Sequence, residues 1–374
     1  MLEPRECQFG GAGRAADGVV GLEEYDGTPG FGKGDGRRKA VGAGPHDDGV
    51  EALHADDVTG RRVGKDDAMS IVLNPYARPD EWMVELSRLL PDDDIVAWPD
   101  VGEPDEVEYV VAWRMPRSDL QSYSNLRAIL SLGAGAEQWQ KDGIPEVPVV
   151  RLADPAMSDE MATYALHWVI RLQRNFDAST AQQSAKVWEQ PEYVQAWNHR
   201  VGILGFGTIG ARVAQAFVDL GYPVNGWSRS GGDTDGVTHY AGIEELDDFL
   251  ANSDSVVNVL PSTAATTGLL DAERLARFAP DSVFVNMGRV TVVDEAALVA
   301  ALDDGPLRAA VLDVTDPEPP NPDSPLWAHP AVHLTPHVAG STQVRSASKL
   351  IADNITRIRA GEEPFPLLDR ARGY

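Results

Sequence analysis

The chain contains the segment Arg200-Val-Gly-Ile-Leu-Gly205-Phe-Gly207-Thr-Ile-Gly210, in which an apolar strand runs into a G-x-G-x-x-G turn that opens a helix. In such a turn the first glycine permits the tight bend, the second lets the backbone approach a diphosphate, and the third lets helix and strand pack closely. The amide groups of the new helix face the anion. The segment Gly10-Gly11-Ala12-Gly13 has no strand before it and no helix after it, and is interpreted as flexible chain.

Strands and helices alternate on both sides of the turn. On its carboxyl side, six strands are predicted, near Val201–Gly205, Val224–Ser228, Ser255–Leu260, Val283–Met287, Ala310–Val314 and Val332–Thr335. On its amino side, five strands are predicted near Ile71–Leu73, Ile95–Trp98, Tyr109–Trp113, Ala128–Leu132 and Val147–Leu152. Helices are predicted near Glu81–Leu90 and Leu120–Asn125, from about Ser158, and from about Thr342 to Ala360. This alternation implies parallel sheets with helices on their faces.

We therefore expect an α/β protein of two doubly wound domains, in which a Rossmann dinucleotide-binding domain is inserted in a smaller flavodoxin-like substrate domain. The predicted substrate domain comprises residues 69–168 and 343–374, and the dinucleotide-binding domain comprises residues 169–342. Residues 1–68 are rich in glycine and charge, which predicts a disordered extension. Regular structure begins next to Met69, which is therefore an alternative start of the protein.

The composition restricts the partners of the protein. Its 58 Asp and Glu residues outnumber its 32 Lys and Arg residues, and the formal net charge is −26. Such a field repels phosphates, so we expect neither a nucleic-acid nor an anionic-membrane partner, and any phosphate site must be built locally. The single cysteine, Cys7, leaves no intrachain disulfide and no cysteine-based metal cluster, and no metal is predicted. With no run of about 18 apolar residues and no secretory-signal profile, a cytoplasmic enzyme is expected.

The balance of charged residues also bears on the cellular setting. Only six of the 32 basic residues are Lys, and acidic clusters such as Asp92-Asp93-Asp94 recur. This pattern favours a halophilic protein from a high-salt cytoplasm, where salt screens the self-repulsion of the acidic surface. The alternative is an acidic protein from an ordinary cytoplasm with Arg-biased codons.

The nucleotide is predicted from the second strand after the glycine turn. In NAD-binding sites an Asp or Glu at the end of that strand, about 20 residues past the turn, binds the ribose 2′-hydroxyl. Here the strand ends in Trp227-Ser228-Arg229-Ser230, with no acid available. A guanidinium at Arg229 attracts a 2′-phosphate that a carboxylate would repel. NADPH is thus the predicted cofactor, with NADH as a second one, and the alternative for Arg229 is a solvated loop cation.

Three later strands are followed by Arg289, Glu318 and His337. Alone, each has an ordinary structural interpretation, as a surface cation, an exposed carboxylate or a structural imidazole. Hydride reduction of a ketone needs a cation that holds the substrate carboxylate and polarises its carbonyl, and an acid that protonates the new alkoxide. Arg289 and His337 meet these needs, and Glu318 fits the carboxylate that stabilises a protonated imidazole.

With these residues the chain resembles the D-2-hydroxyacid dehydrogenase family, and within it the glyoxylate/hydroxypyruvate reductase A type. The resemblance covers about Met69 to Tyr374. It rests on an ordered set of motifs: Leu132-Gly-Ala-Gly-Ala136, Gly205-Phe-Gly-Thr-Ile-Gly210, Trp227-Ser-Arg229-Ser, Leu260-Pro-Ser-Thr263, Asn286-Met-Gly-Arg289, Leu312-Asp-Val, Pro317-Glu-Pro319, Ser324-Pro-Leu-Trp327, Thr335-Pro-His337-Val-Ala and Asp369-Arg-Ala-Arg-Gly-Tyr374.

The resemblance implies a role for individual residues. Arg289 is then the substrate-binding arginine, Glu318 the carboxylate partner and His337 the general acid. A backbone cradle for the substrate carboxylate is implied, with an aromatic and a cationic neighbour: Gly133, Ala134, Gly135, Ala136, Trp113 and Arg114. The implied cofactor contacts are Gly205, Gly207, Thr208, Ile209, Gly210, Ser228, Arg229, Leu260, Pro261, Ser262, Thr266, Met287, Gly288 and Asp313. A homodimer, with contacts made largely by the cofactor domain, is also implied. Val290 and Gly340-Ser341 depart from the usual family pattern, which leaves the substrate preference open.

These features predict a reductase that transfers a hydride from NADPH to C2 of a small 2-keto acid, such as glyoxylate or hydroxypyruvate, and forms glycolate or glycerate. One alternative is an NAD-dependent member of the same superfamily with another substrate, of the phosphoglycerate or phenylpyruvate type. A remote alternative is a nucleotide-sensing binding protein that keeps the same residues without turnover.

Overall fold

The computed structural model describes residues 70–139 and 144–373. The predicted extension at residues 1–68, the alternative start at Met69 and the glycine-rich segment at residues 10–13 lie outside the described residues. Within the described residues, the strands form two parallel sheets, which agrees with the predicted α/β class.

The first sheet has five parallel strands and is built from the amino-terminal part of the described chain. The strands are β1 (Ser70–Asn74), β2 (Asp94–Ala97), β3 (Val107–Ala112), β4 (Ala128–Ser131) and β5 (Val149–Val150). Their order across the sheet is β2-β1-β3-β4-β5. This is the strand order of flavodoxin-like folds, as predicted. Helices α1 (Pro79–Leu89) and α2 (Arg117–Ser122) connect its strands.

Two consecutive helices lead from the first sheet to the second: α3 (Pro155–Gln173) and α4 (Phe176–Ala185). Helix α3 begins three residues before the predicted Ser158. Asp154 caps it by accepting a hydrogen bond from the Ala156 amide at 3.0 Å, and Pro155 occupies the first turn, where its missing N–H costs nothing. The start of the helix is therefore set by Asp154 and Pro155. The prediction used only the spacing of apolar residues, which contains no information about these two.

The second sheet has seven parallel strands, one more than predicted. They are β6 (Val201–Leu204), β7 (Val224–Ser228), β8 (Val237–Ala241), β9 (Ser255–Asn258), β10 (Ser282–Asn286), β11 (Leu307–Leu312) and β12 (Val332–Leu334). Their order is β12-β11-β10-β9-β6-β7-β8. When β6 to β11 are numbered one to six, they have the strand order 3-2-1-4-5-6 of dinucleotide-binding folds, and β12 is added at the far edge. The prediction missed β8, an edge strand with no fully buried residue.

Five further helices accompany the second sheet or follow it: α5 (Thr208–Asp219), α6 (Leu246–Ala251), α7 (Ala272–Leu275), α8 (Glu295–Asp303) and α9 (Val344–Arg359). Helix α3 packs on α5, and α9 packs on α1 beside the first sheet. The last helix thus returns to the first sheet, as expected from the sequence. The domain boundaries after residue 168 and before residue 343 stay predictions.

The buried core covers both sheets, since strands β4, β6, β9 and β10 have every residue buried. Strands buried on both faces read as continuous apolar runs, which is why the sequence revealed them. Parallel strands present their carboxyl ends at one edge of a sheet, where ligands bind in open α/β folds. Within the described residues, no helix is both long enough and apolar enough to cross a membrane.

Candidate active site

A cleft of about 2090 Å³ is lined by loops at the carboxyl ends of strands from both sheets. Pockets for a single small ligand occupy roughly 300–1,000 Å³, so this cleft has room for an extended nucleotide beside a small acid. All the predicted site residues lie on its wall except Ser262. The Ser262 hydroxyl is 2.8 Å from the Thr291 hydroxyl, to which it is hydrogen-bonded.

The glycine turn lies between β6 and α5 and has the geometry that its three glycines predict. Gly205 has φ 107°, a conformation that side-chain-bearing residues rarely adopt. A Cβ added at Gly207 would meet no atom within 4 Å, so open space lies in front of this backbone. A Cβ added at Gly210 would overlap the carbonyl oxygen of Gly205. The turn therefore fits a diphosphate at the start of α5, next to the position where the strand order reverses.

The loop after β7 lines the cleft where the ribose of a bound dinucleotide would lie. The Ser228 hydroxyl donates to the carbonyl of Gly231 at 2.9 Å, which closes this loop. Arg229 is exposed on the cleft wall. From Ser228 to Gly231 the sequence carries an arginine and no carboxylate, which suits a 2′-phosphate better than a ribose 2′-hydroxyl.

Two buried asparagines fix the ends of neighbouring strands β9 and β10. The side-chain amide of Asn258 donates to Oδ1 of Asn286 at 2.9 Å. Oδ1 of Asn258 accepts from the backbone amide of Leu260 at 3.1 Å. Oδ1 of Asn286 also accepts from the Gly288 amide at 3.2 Å. The predicted cofactor residues Leu260 and Gly288 are thus held by a pair that sequence reasoning missed. The only local signal is an asparagine at the end of each apolar strand.

Arg289 follows β10 and is tied to both sheets. Its Nη1 donates to the carbonyl of Gly288 at 2.9 Å, and its Nε donates to Oε1 of Glu137 at 2.8 Å. The two side chains are about one-third exposed, at 30% and 32%. Glu137 follows the predicted cradle Gly133–Ala136 and was not predicted as a site residue.

His337 and Glu318 form an exposed pair on the same cleft wall. Nδ1 of His337 lies 2.9 Å from Oε2 of Glu318, which follows the neighbouring strand β11. His337 has φ 54°, and its amide donates to the carbonyl of Asp313 at 3.0 Å. The pair that the sequence predicted is therefore in contact, and Nε2 is the imidazole nitrogen that Glu318 leaves unused.

Asp313 is buried behind the His337 loop and holds it. Its carboxylate accepts from the amides of Val338 at 2.9 Å and Ala339 at 2.8 Å, and from the Thr335 hydroxyl at 2.5 Å. Because the Thr335 proton is used on Asp313, the Tyr164 hydroxyl donates to Thr335 at 2.6 Å. Burial raises the pKa of Tyr164, with a contribution from the Asp313 carboxylate, so this phenol stays a neutral donor.

The predicted substrate loop lies against Trp113. A Cβ added at Gly133 would overlap the Trp113 ring, so the indole covers this part of the loop. The Tyr76 ring lies 6.3 Å from the Trp113 ring, and the Asn74 amide donates to the carbonyl of Arg114 at 2.8 Å. Aromatic side chains therefore limit the space beside the loop. In the described part of the chain, no group of three or more His, Cys, Asp or Glu side chains could hold a metal ion.

Known proteins are similar to this chain in sequence and fold. The family model for the D-isomer specific 2-hydroxyacid dehydrogenase NAD binding domain matches residues 166–339. The chain is 36% identical over 311 residues to glyoxylate/hydroxypyruvate reductase A of Serratia proteamaculans, an alignment that covers 81% of this chain and 99% of that protein.

Solved structures agree in fold. A D-isomer specific 2-hydroxyacid dehydrogenase from Xanthobacter autotrophicus in complex with NADPH and MES is 38% identical, with a TM-score of 0.79 over 82% of this chain and 100% of that chain. The NADPH-dependent glyoxylate/hydroxypyruvate reductase from Sinorhizobium meliloti in complex with NADP and sulfate is 30% identical, with a TM-score of 0.77 over the same shares.

A dinucleotide-type sheet, with an arginine and a histidine–glutamate pair on the wall of its cleft, defines a nicotinamide-dependent oxidoreductase. The near-complete match to a 36% identical relative adds the family. This chain belongs to the D-isomer specific 2-hydroxyacid dehydrogenase family, and the resemblance predicted from its motifs is confirmed.

Proposed function

We propose that the protein is an NADPH-dependent reductase that converts glyoxylate to glycolate and hydroxypyruvate to glycerate. The proposal rests on one observation: Arg289, the His337–Glu318 pair and the glycine turn all line the same cleft. The relative from Serratia proteamaculans bears the name of this activity, and the two solved relatives hold NADPH or NADP. Both support the predicted substrate class and cofactor.

The proposed chemistry begins with binding of the keto acid. The glycine turn and the loop of Arg229 would hold NADPH, which would supply a hydride to C2 of the substrate. Arg289 holds the substrate carboxylate and polarises its carbonyl, and the amides of the Gly133–Ala136 loop form the other side of the carboxylate site. Oriented N–H groups stabilise the negative charge that develops on the carbonyl oxygen, because they need no reorganisation during the reaction.

His337 completes the reduction by protonating the new alkoxide. The Glu318 carboxylate accepts from Nδ1, so Nε2 is the nitrogen that carries the transferable proton. Asp313 fixes the loop that carries the imidazole through two backbone amides. The proton thus passes from Nε2 of an imidazolium whose orientation and loop position are both set by carboxylates, and the ring is left with its proton on Nδ1.

The proposed activity is tested by following NADPH oxidation with glyoxylate, hydroxypyruvate, pyruvate and phenylpyruvate. We expect glyoxylate and hydroxypyruvate to give a higher kcat/KM than phenylpyruvate, because the aromatic side chains beside Gly133 limit the space for a large C3 substituent. Higher kcat/KM with phenylpyruvate, or faster turnover with NADH, would favour the alternative NAD-dependent enzyme of the family. No turnover with any acid would favour the nucleotide-sensing protein.

Arg229→Ala is expected to raise the KM for NADPH by roughly tenfold or more and the KM for NADH by much less, since only NADPH carries a 2′-phosphate for the guanidinium. Arg277→Ala is the matched control, because Arg277 is a surface arginine paired with Asp247 outside the cleft. Steady-state kinetics with both nucleotides measure the effect. An equal rise in both KM values would contradict the assignment.

We further propose a homodimer, a cytoplasmic location and adaptation to high salt. Helix α4 has no buried residue and exposes Phe176. The chain that follows the helix exposes Trp188 and Trp197. Trp188 is fully exposed at 101%. Such an apolar surface supports the implied self-association. The mass of the protein in solution tests the dimer.

Thermal unfolding in low and in molar salt tests the adaptation to high salt. Cell fractionation tests the cytoplasmic location.

A further inference from the structure

Three consecutive side chains of the single turn Glu137–Trp139 tie together three parts of the cleft. The Gln138 amide donates to the carbonyl of Trp113 at 3.1 Å, and the indole N–H of the buried Trp139 donates to the Ser131 hydroxyl at 3.2 Å. Both bonds fix the turn to the first sheet. Glu137 instead reaches Arg289, which follows a strand of the second sheet.

The bonds of Arg289 leave one particular edge of its guanidinium available. Glu137 accepts from Nε at 2.8 Å and from Nη2 at 3.5 Å, and the carbonyl of Gly288 accepts from Nη1. A guanidinium has five N–H donors. Within the described ranges, two therefore remain, one on each terminal nitrogen. Glu137 takes the edge formed by Nε and Nη2, so the remaining N–H groups lie on the terminal nitrogens and are available to the oxygens of a ligand.

Gly135 provides the space in which this ion pair forms. A Cβ added at Gly135 would overlap Nη2 of Arg289 and would lie 2.7 Å from Oε2 of Glu137. Any larger residue would therefore push both side chains away. The glycine is needed here for close approach of the ion pair, in addition to any contact of its amide with the substrate.

We infer that Glu137 is a positioning residue for the reaction and that it acts through Arg289. By occupying the Nε side of the guanidinium, it fixes the plane of that group and turns the two remaining N–H groups towards the carboxylate and carbonyl oxygens of the keto acid. The inference rests on the proposed function. It assigns Glu137 an effect on keto-acid binding and turnover, and none on NADPH.

The alternative role for Glu137 is that of a competitor, which occupies Arg289 until the substrate displaces it. The geometry opposes this, because Glu137 and the expected substrate oxygens use different edges of the guanidinium. The ion pair is also only about one-third exposed, so an arginine that lost this partner would gain rotamer freedom and lose its fixed orientation. The two roles predict KM changes of opposite sign.

The test compares Glu137→Ala and Glu137→Gln with the matched control Gln138→Ala, which breaks a neighbouring anchor of the same turn. We expect Glu137→Ala to raise the KM for glyoxylate and the inhibition constant of oxamate, a keto-acid isostere, by roughly tenfold or more. The kcat falls as well, while the KM for NADPH stays within about twofold. Glu137→Gln keeps one acceptor for Nε and is expected to give an intermediate value.

Three results would overturn the inference. A lower KM for glyoxylate in Glu137→Ala would identify a competitor, and an equal loss in Gln138→Ala would identify a purely structural turn. Unchanged kinetics in Glu137→Gln and Glu137→Ala would remove the role altogether. If the unmodified protein itself turns over no keto acid, the proposed function fails instead, and that result is seen before any variant is measured.

Discussion

Replacement of His337 by asparagine is expected to lower turnover by about 10²–10⁴-fold, because the alkoxide then has no positioned acid. Asparagine is the informative choice, since His337 has φ 54° and asparagine tolerates this left-handed conformation better than alanine does. The loop therefore keeps its bonds to Asp313. Single-turnover kinetics and NADPH fluorescence separate the loss of kcat from nucleotide binding, which should be unchanged.

Glu318→Gln supplies the control for this prediction. Glutamine can still accept from Nδ1 of His337 but carries no charge, so its loss of kcat is expected to be smaller. The double variant should be no slower than His337→Asn alone, because Glu318 acts through the imidazole and residues of one unit are not additive. Turnover near the unmodified rate in His337→Asn would reject the histidine as general acid.

Periodicity in the sequence was sufficient for most of the fold. Strand β6 is a continuous apolar run with every residue buried, and such runs mark parallel strands covered on both faces. Strand β8 escaped because Thr238 and His239 interrupt its apolar residues at the sheet edge, where only one neighbour, β7, supplies hydrogen bonds. Its formation depends on tertiary pairing, which a local pattern does not contain.

The same distinction between local pattern and tertiary contact applies to the residues of the candidate site. The glycine turn, Arg289 and His337 were predicted because each directly follows a strand, so a local pattern places it at the ligand edge of the sheet. Glu137 was not, since it is 152 residues from Arg289 in the chain and meets it only after both sheets have formed. The Asp313 carboxylate, predicted as a cofactor contact, accepts from the His337 loop, a contact that no spacing rule contains.

Arg289→Lys is expected to lower kcat/KM for glyoxylate by about 10²–10³-fold, although it keeps the positive charge. Among residues 70–139 and 144–373, Arg289 uses three N–H groups on Glu137 and Gly288, which leaves two for the substrate. A lysine ammonium has three donors that are not coplanar, so it cannot hold both partners and also present a pair of parallel N–H groups. Steady-state kinetics in glyoxylate measure the change.

Arg78→Lys is the matched control, because Arg78 also lies on the cleft wall. It donates to the carbonyl of Thr342 and pairs with Glu81 at 3.8 Å, and an ammonium can serve both partners. Its kcat/KM should stay within a few-fold of the unmodified protein. If both lysine variants lost activity equally, or if Arg289→Lys kept it, positive charge in the cleft would explain binding and the fork geometry would not. A loss confined to Arg289→Lys, with the KM for NADPH unchanged, would place the requirement in the two N–H groups that Glu137 leaves available.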